Sequence, residues 1–500
     1  MLRIVTTVPA ARPLPALIVP VCEDRPLHRD AALRALVDDG FGHAEFCGRK
    51  GQEIVLYRPQ GGRAERAILL GLGKGAALDP ESLRQAVGRG IKRCIKLGLS
   101  RAGVAVPDPA ACGLTAPALV SALAEAAVLA NHLFDRFKQA KDTRPLTRID
   151  LLAPAGVARR VQGLPGRIET VCRAALTARE WVNLPSNAKP PEAFARMIAT
   201  EARRAGLRVQ VWREVELRRR KFGALLAVAA GSRNRPALVI LEHKPRGARG
   251  TIALVGKGVT FDSGGINLKT GPTIAEMKAD MAGGAAVAAT LAAAARLGLK
   301  RHVVGLIPLV ENMPSGSATR PGDIVRTYAG RTVEIGNTDA EGRLILADAI
   351  AHAIRAFNPE VLIDVATLTG ACVVALGEKI AGLFANDLPL QEAIVAAGRR
   401  THERCWPMPL PEDYKDLLKS DVADLSNMPP SRHGGAIAAA LFLAEFVGTT
   451  RWAHIDIAGP AFNKKEDGYT TPGATGFGVR LLLDWLADHG DASGAGQWTR

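Results

Sequence analysis

The sequence predicts a two-domain α/β protein. A small N-terminal α/β domain covers residues 1–165. A larger C-terminal α/β domain, residues 166–500, opens with a connecting helix (166–182) and is built on a central, mostly parallel sheet flanked by helices. Three observations carry this. A chain of 500 residues exceeds one ordinary core. Short β-branched apolar runs alternate with helical stretches in both halves, as in sheets whose strands are joined through helices. Chain breakers cluster between the halves, at Pro154-Ala-Gly156, Gly163 and Pro165-Gly166.

In the first domain, residues 16–21, 53–57, 67–72, 103–106 and 149–152 read as strands. An N-terminal strand precedes them, because Pro9, Arg12, Pro13 and Pro15 break the chain before a signal-peptide core can form. Residues 79–97 and 117–137 read as helices, the first with Asp79 as N-cap and Pro80 at the first helical position. Gly71-Leu-Gly73-Lys74 lacks the spacing and the Ser/Thr of a phosphate loop and reads as a strand-end turn. The connecting helix stops in the Asn183–Pro191 stretch, where Pro191 suits the start of a helix through Arg204. Arg218-Arg-Arg-Lys221 reads as a solvated helix face.

Beyond it, residues 237–241, 252–255, 303–309, 361–365 and 454–457 are near-continuously apolar, as strands buried on both faces are. Helical stretches 281–299, 344–357, 390–400 and 436–447 lie between them. In such sheets ligands gather at the carboxyl ends of strands.

Composition excludes some classes. At 47% hydrophobic and 23% charged the chain is globular, and no run approaches the ~20 apolar residues of a membrane span. Seven scattered cysteines without a Cys-x-x-Cys pair point to buried single thiols in a reducing compartment, the cytoplasm by default. Charge is uneven. Residues 1–250 hold 42 Lys/Arg against 22 Asp/Glu, whereas 251–500 hold 23 against 27. A half this basic leaves open an acidic partner such as nucleic acid, although no nucleic-acid motif accompanies the charge.

The chemistry concentrates in two stretches of the second half. Asn337-Thr-Asp-Ala-Glu-Gly-Arg-Leu344 brings Asp339, Glu341 and Arg343 together before an apolar helix. Val255–Gly265, with Lys257 and Asp262, is followed by Lys269 and Asp280. Thr338 and Glu341 alone could form a capping box, but that leaves Arg343 and the upstream cluster unexplained. Four carboxylates converging in an apolar cleft repel one another unless cations neutralise them, and two divalent ions would do so. A lysine joins such a ligand set only when its amine is neutral. Carboxylate and amine ligands fit zinc, manganese or cobalt. Neither His-Glu-x-x-His nor Gly-x-Ser-x-Gly is present. Ser186-Asn-Ala-Lys189, Ser232-Arg-Asn234 and Lys269-Thr-Gly271 imitate serine acyl-enzyme motifs, but Pro190 disfavours helical geometry at Lys189.

With these motifs, and with Glu276–Met281, Glu311–Gly316, Arg320–Asp323, Thr367–Gly370 and Asp456–Ala461, residues 179–483 resemble the leucyl aminopeptidase family of cytosolic two-metal exopeptidases. Before about residue 165 only a compatible α/β pattern is visible. The resemblance implies a catalytic C-terminal domain that releases N-terminal, leucine-like residues from peptides. It implies metal ligation by Lys257, Asp262, Asp280, Asp339 and Glu341, with Asp262 and Glu341 bridging. It places Lys269 on the scissile carbonyl and Arg343 on a bicarbonate-like anion, and puts Met277, Thr367, Leu368, Gly370 and Ala461 in the substrate pocket. The implied assembly is a homohexamer. Ala438, where the family usually has threonine, and Thr270-Gly271 depart from its pattern without touching an implied ligand.

Overall fold

The computed structural model describes residues 2–7, 13–59, 63–141 and 143–488. The predicted break at Pro9 and Arg12, and the end of the second domain beyond residue 488, lie outside them. Contacts group the chain into two compact units. Among the described residues, one comprises those up to Leu176 with Lys464–Pro472, the other Thr177–Asn463 with residues 473–488.

The first unit holds a six-stranded sheet of β1 (Leu2–Val5), β2 (Leu17–Val21), β3 (Glu53–Tyr57), β4 (Arg66–Gly71), β5 (Arg101–Ala105) and β6 (Arg148–Leu152). Their order is β1-β6-β5-β2-β4-β3, all parallel except β3 against β4. Local chemistry sets the helix starts. Asp79 accepts from the Ser82 N–H, with Pro80 opening the helix Pro80–Lys96. The second predicted helix is shorter than its apolar pattern. It runs Ala116–Ala130 and stops where Asn131 turns its amide onto Leu146, donating to the carbonyl at 2.9 Å and accepting from the N–H at 2.7 Å. That side chain supplies the backbone partners a longer helix would have offered, and Phe137 is left exposed.

The second unit is built on β7 (Arg208–Arg213), β8 (Ala237–His243), β9 (Thr251–Gly256), β10 (Gly258–Asp262), β11 (His302–Asn312), β12 (Ile324–Arg326), β13 (Thr332–Glu334), β14 (Val361–Ala366), β15 (Ala381–Ala385), β16 (Cys405–Pro407), β17 (Leu425–Ser426) and β18 (Arg451–Asp456). The main sheet has the order β16-β15-β18-β14-β9-β11-β8-β7, with β10 paired to β11. The centre, β18-β14-β9-β11, is parallel, and antiparallel strands flank it. A small sheet, β12-β13-β17, stands apart.

Strand β14 is buried along its whole length, apolar but for Asp364, whose carboxylate accepts from the Trp452 indole N–H and pairs with His454. The helix Ala282–Arg296 is buried from Ala282 to Ala294. Its small residues allow contact with backbone: a Cβ on Gly283 would lie 2.0 Å from the Val365 carbonyl oxygen. The Arg218–Arg220 run is indeed exposed, but it pairs with Glu214 and Glu216 one turn earlier, and Arg220 stacks 4.0 Å over the Trp212 ring. No disulfide joins any of the seven cysteines. Six are buried as expected and Cys47 is exposed. Among the described residues no helix is long and apolar enough to cross a membrane.

Candidate metal centre

The carboxyl ends of the central strands supply the site. Lys257 follows β9, Asp262 ends β10, Thr367 follows β14 and Asp456 ends β18. The loop after β13 brings Asp339, and the helix Glu341–Phe357 opens with Glu341 itself.

That start overturns the capping-box alternative. The N-cap is Ala340, and Thr338 instead donates its hydroxyl to the Gly264 carbonyl at 2.6 Å. Glu341 turns inward, its carboxylate 2.8 Å from Lys257 Nζ. Lys257 also contacts Asp280 Oδ1 at 2.8 Å and donates to the Thr367 carbonyl at 2.8 Å. A Cβ on Gly342 would sit 2.6 Å from Lys257 Cε, so the glycine is what lets the lysine pass the helix.

Asp262 is fixed by its own turn. Gly264, at a φ of +88° that suits glycine, donates its N–H to Oδ1 at 2.9 Å, and Asn312 Nδ2 donates to the same oxygen at 2.9 Å. Lys269 Nζ contacts Asp262 Oδ2 at 2.8 Å and pairs with Asp339. Ligand oxygens of Asp262, Asp280 and Glu341 all lie within 4.8 Å of one another and all three residues are buried. Asp339 stands beside this cluster, joined to it through Lys269.

Electrostatics show what the arrangement lacks. Burial pushes Asp280 well above the carboxylate range against the pull of Lys257, while Glu341 and Asp262 add to the rise. Burial and the charge of Asp262 also raise Glu341 and Asp339. Burial works against the charged form of Lys257, yet Asp280, Glu341 and Asp262 outweigh it and hold the amine above its ordinary value. Lys269 behaves alike through Asp262, Glu341 and Asp339. Two ammonium groups thus stand against four carboxylates, and Asp280 Oδ2 is buried without a partner among the described residues. An uncompensated buried carboxylate costs several kcal/mol. Divalent cations fit this oxygen-rich, amine-containing donor set and would remove the deficit.

Arg343 lies behind the cluster. Burial pulls its guanidinium down to about 10. It donates through Nη1 to the Asn427 carbonyl at 2.7 Å, while its buried Nε has no partner among the described residues. It therefore has a donor to spare for an anion.

The sequence-predicted pocket residues are placed unevenly. Thr367 joins the cluster directly, donating its hydroxyl to Asp280 Oδ1 at 2.7 Å. The Met277 carbonyl accepts from the Asp280 N–H at 3.3 Å. Leu368 is half-buried, its N–H donating to Asp456 Oδ1 at 3.0 Å, and Gly370 opens the helix Gly370–Leu376 at the surface. Ala461 is buried and bonded to the Ile457 and Thr475 backbone, and no contact among the described residues joins it to the carboxylates. Sequence reasoning gave no role to Asn312, Asn427 or Asp456. Asn427 accepts from the Gly336 and Asn337 N–H groups at 2.8 and 3.2 Å and donates to the Asn337 carbonyl at 2.8 Å, bracing the loop that carries Asp339. Asp456 binds the N–H groups of Leu368 and Thr369. A polar residue closing a largely apolar strand marks Asn312 and Asp456, but nothing local marks Asn427.

A family model described as the catalytic domain of the cytosol aminopeptidase family matches residues 176–483, and one for its N-terminal domain matches residues 18–141. The likeness therefore extends into the part where the sequence offered only a pattern. A probable cytosol aminopeptidase of Chlorobium phaeobacteroides is 43% identical over 97% of this chain and 99% of its own. One from Chlorobaculum tepidum is 46% identical over 88% of this chain and 90% of its own. The solved structure of the bottromycin maturation enzyme BotP in complex with Mn superposes with a TM-score of 0.85 at 35% identity, covering 95% of this chain and 100% of that one.

Proposed function

The chain belongs to the cytosol aminopeptidase family, and on that basis we propose that it is a cytoplasmic, two-metal exopeptidase that releases leucine-like residues from the N-termini of peptides. One observation supports the metal reading above the others: the buried cluster of Asp262, Asp280 and Glu341 has more negative charge than Lys257 and Lys269 can neutralise.

Asp262, Asp280, Asp339 and Glu341, joined by Lys257 once its amine gives up its proton to the incoming charge, would hold two divalent ions, manganese, zinc or cobalt, with Asp262 and Glu341 shared. Such ions supply Lewis acidity and lower the pKa of water. The remaining work falls to the chain. Lys269, 22% exposed at its side chain, is the cation that a peptide carbonyl can reach, and it stabilises negative charge growing on that oxygen. Arg343, with its spare Nε, would hold a bicarbonate-like anion able to receive a proton. Thr367 locks Asp280 in place, and with Leu368, Gly370, Met277 and Ala461 would shape the pocket for an apolar side chain. A homohexamer is the assembly this reading carries.

The test is hydrolysis of a leucine anilide before chelation, after chelation, and after adding back manganese, zinc or cobalt. Activity that disappears and returns supports the reading. A folded protein inactive with every metal overturns it.

A further inference from the structure

The N-terminal sheet has a crevice of its own at its carboxyl edge. After β2 the chain leaves toward β3 and β4, and after β5 it leaves the other way, toward β6. β2 and β5 are neighbours, pairing Leu17 with Gly103 and Ile18 with Val104. Their following loops therefore diverge. A crevice between diverging loops at the carboxyl ends of parallel strands is where open α/β sheets bind ligands.

The structure has a cavity of ≈ 790 Å³ there, lined by the segments that follow β1, β2, β5 and β6. That size is within the range of small-molecule pockets, about 300–1,000 Å³. Its floor is apolar and buried: Leu33, Val106, Leu152 and Val157. Its rim is charged, and the charges do not balance. Asp30 caps the helix Ala31–Phe41 and accepts from Arg63 Nη2 at 2.9 Å. Asp108 caps Pro109–Cys112 and accepts from Arg29. Both carboxylates are thereby committed. Arg160, on the rim, has no ion pair among the described residues. The crevice thus offers one spare guanidinium above an apolar floor.

We infer that this crevice is a second small-molecule site, separate from the metal centre, that takes an organic anion. The phosphate or carboxylate head pairs with Arg160, and an apolar or aromatic body lies on Leu33, Val106 and Leu152. Planar guanidinium recognition suits either head group.

Phenyl phosphate and phenylacetate are the probes, with phenol and inorganic phosphate as single-feature controls, each followed by saturation-transfer NMR on the full chain at millimolar concentration. Two variants separate the contributions. Arg160→Glu reverses the spare charge. Gly156→Trp places an indole in the cavity, where a Cβ meets no atom within 4 Å, so the backbone is not strained. Both aryl anions are expected to bind better than phenol and inorganic phosphate, and whichever binds tighter identifies the head group. Arg160→Glu should weaken that binding about tenfold and Gly156→Trp should abolish it, while anilide hydrolysis stays at the wild-type rate. The inference is overturned if no aryl anion binds, if inorganic phosphate binds as well as phenyl phosphate, or if both variants bind as the wild type does.

Discussion

The two sheets place charge at the same topological position and treat it in opposite ways. At the carboxyl edge of the N-terminal sheet, Arg29, Arg63, Asp30 and Asp108 pair on an accessible rim. At the carboxyl edge of the second sheet, Lys257, Asp262, Asp280 and Glu341 are buried to a few per cent exposure. Water screens the first set, so its pairs contribute at most about 1 kcal/mol each. The second set is cut off from water, and its members shift one another's ionisation strongly. Topology thus chooses the place, and burial decides how strongly the charges there act on one another.

The contrast can be broken most directly at Glu341. Glu341→Ala should lose bound metal and hydrolysis together, by more than the 10–100-fold typical of an outer-shell partner; metal analysis of the purified variant beside its anilide kinetics checks this. Metal retained at full stoichiometry would remove Glu341 from the ligand set. Lys269→Ala should keep its metal and lower kcat by about 10²–10³-fold, the cost of one oxyanion donor, and a change confined to KM would count against that role. Gly342→Ala pushes a methyl into Lys257 and should cost about 1–3 kcal/mol of stability, read as a lowered urea midpoint, with weaker metal retention beside it.

His352 sharpens the comparison away from any ligand. It packs 4.9 Å from Trp212 and 5.5 Å from Phe222, bonded to the Tyr328 hydroxyl at 3.0 Å. Burial first, then Arg220 and Arg355, pull it down to about 4. Because the folded value is below the unfolded one, neutral His352 stabilises the protein above about pH 6.5. That contribution is lost as the pH falls from there through 4. His352→Phe should flatten the urea midpoint across this window. At the mild end, Arg29→Ala on the exposed rim should change stability by no more than about 0.5 kcal/mol.

Much of this was legible in the sequence for identifiable reasons. Doubly buried strands such as β9 announce themselves by near-continuous apolar runs, and Asp79-Pro80 announces a helix start. The cluster of carboxylates and lysines was visible because such groups in apolar surroundings need a cause. The sequence failed where a distant partner overrides a local pattern. Asn131 ends a helix that its apolar residues would have continued to Phe137. Thr338 matches a capping box, yet Gly264 takes its hydroxyl. The likeness of the N-terminal part to its family was hidden because its strands bear no chemistry, only hydrophobicity, and many sequences satisfy that.

The bracing of the metal loop by Asn427 has a consequence in time. Asp339 and Arg343 are held by a residue 84 to 91 positions later in the chain. During synthesis, Lys257 through Arg343 leave the ribosome well before Asn427, and β18 with Asp456 emerges later still. A nascent chain can therefore carry the whole carboxylate and lysine cluster yet lack the support that braces Arg343 and the loop bearing Asp339. On the proposed reading, hydrolytic competence would arrive late in translation, when the last strand of the sheet is in place, and a chain released early would lack it.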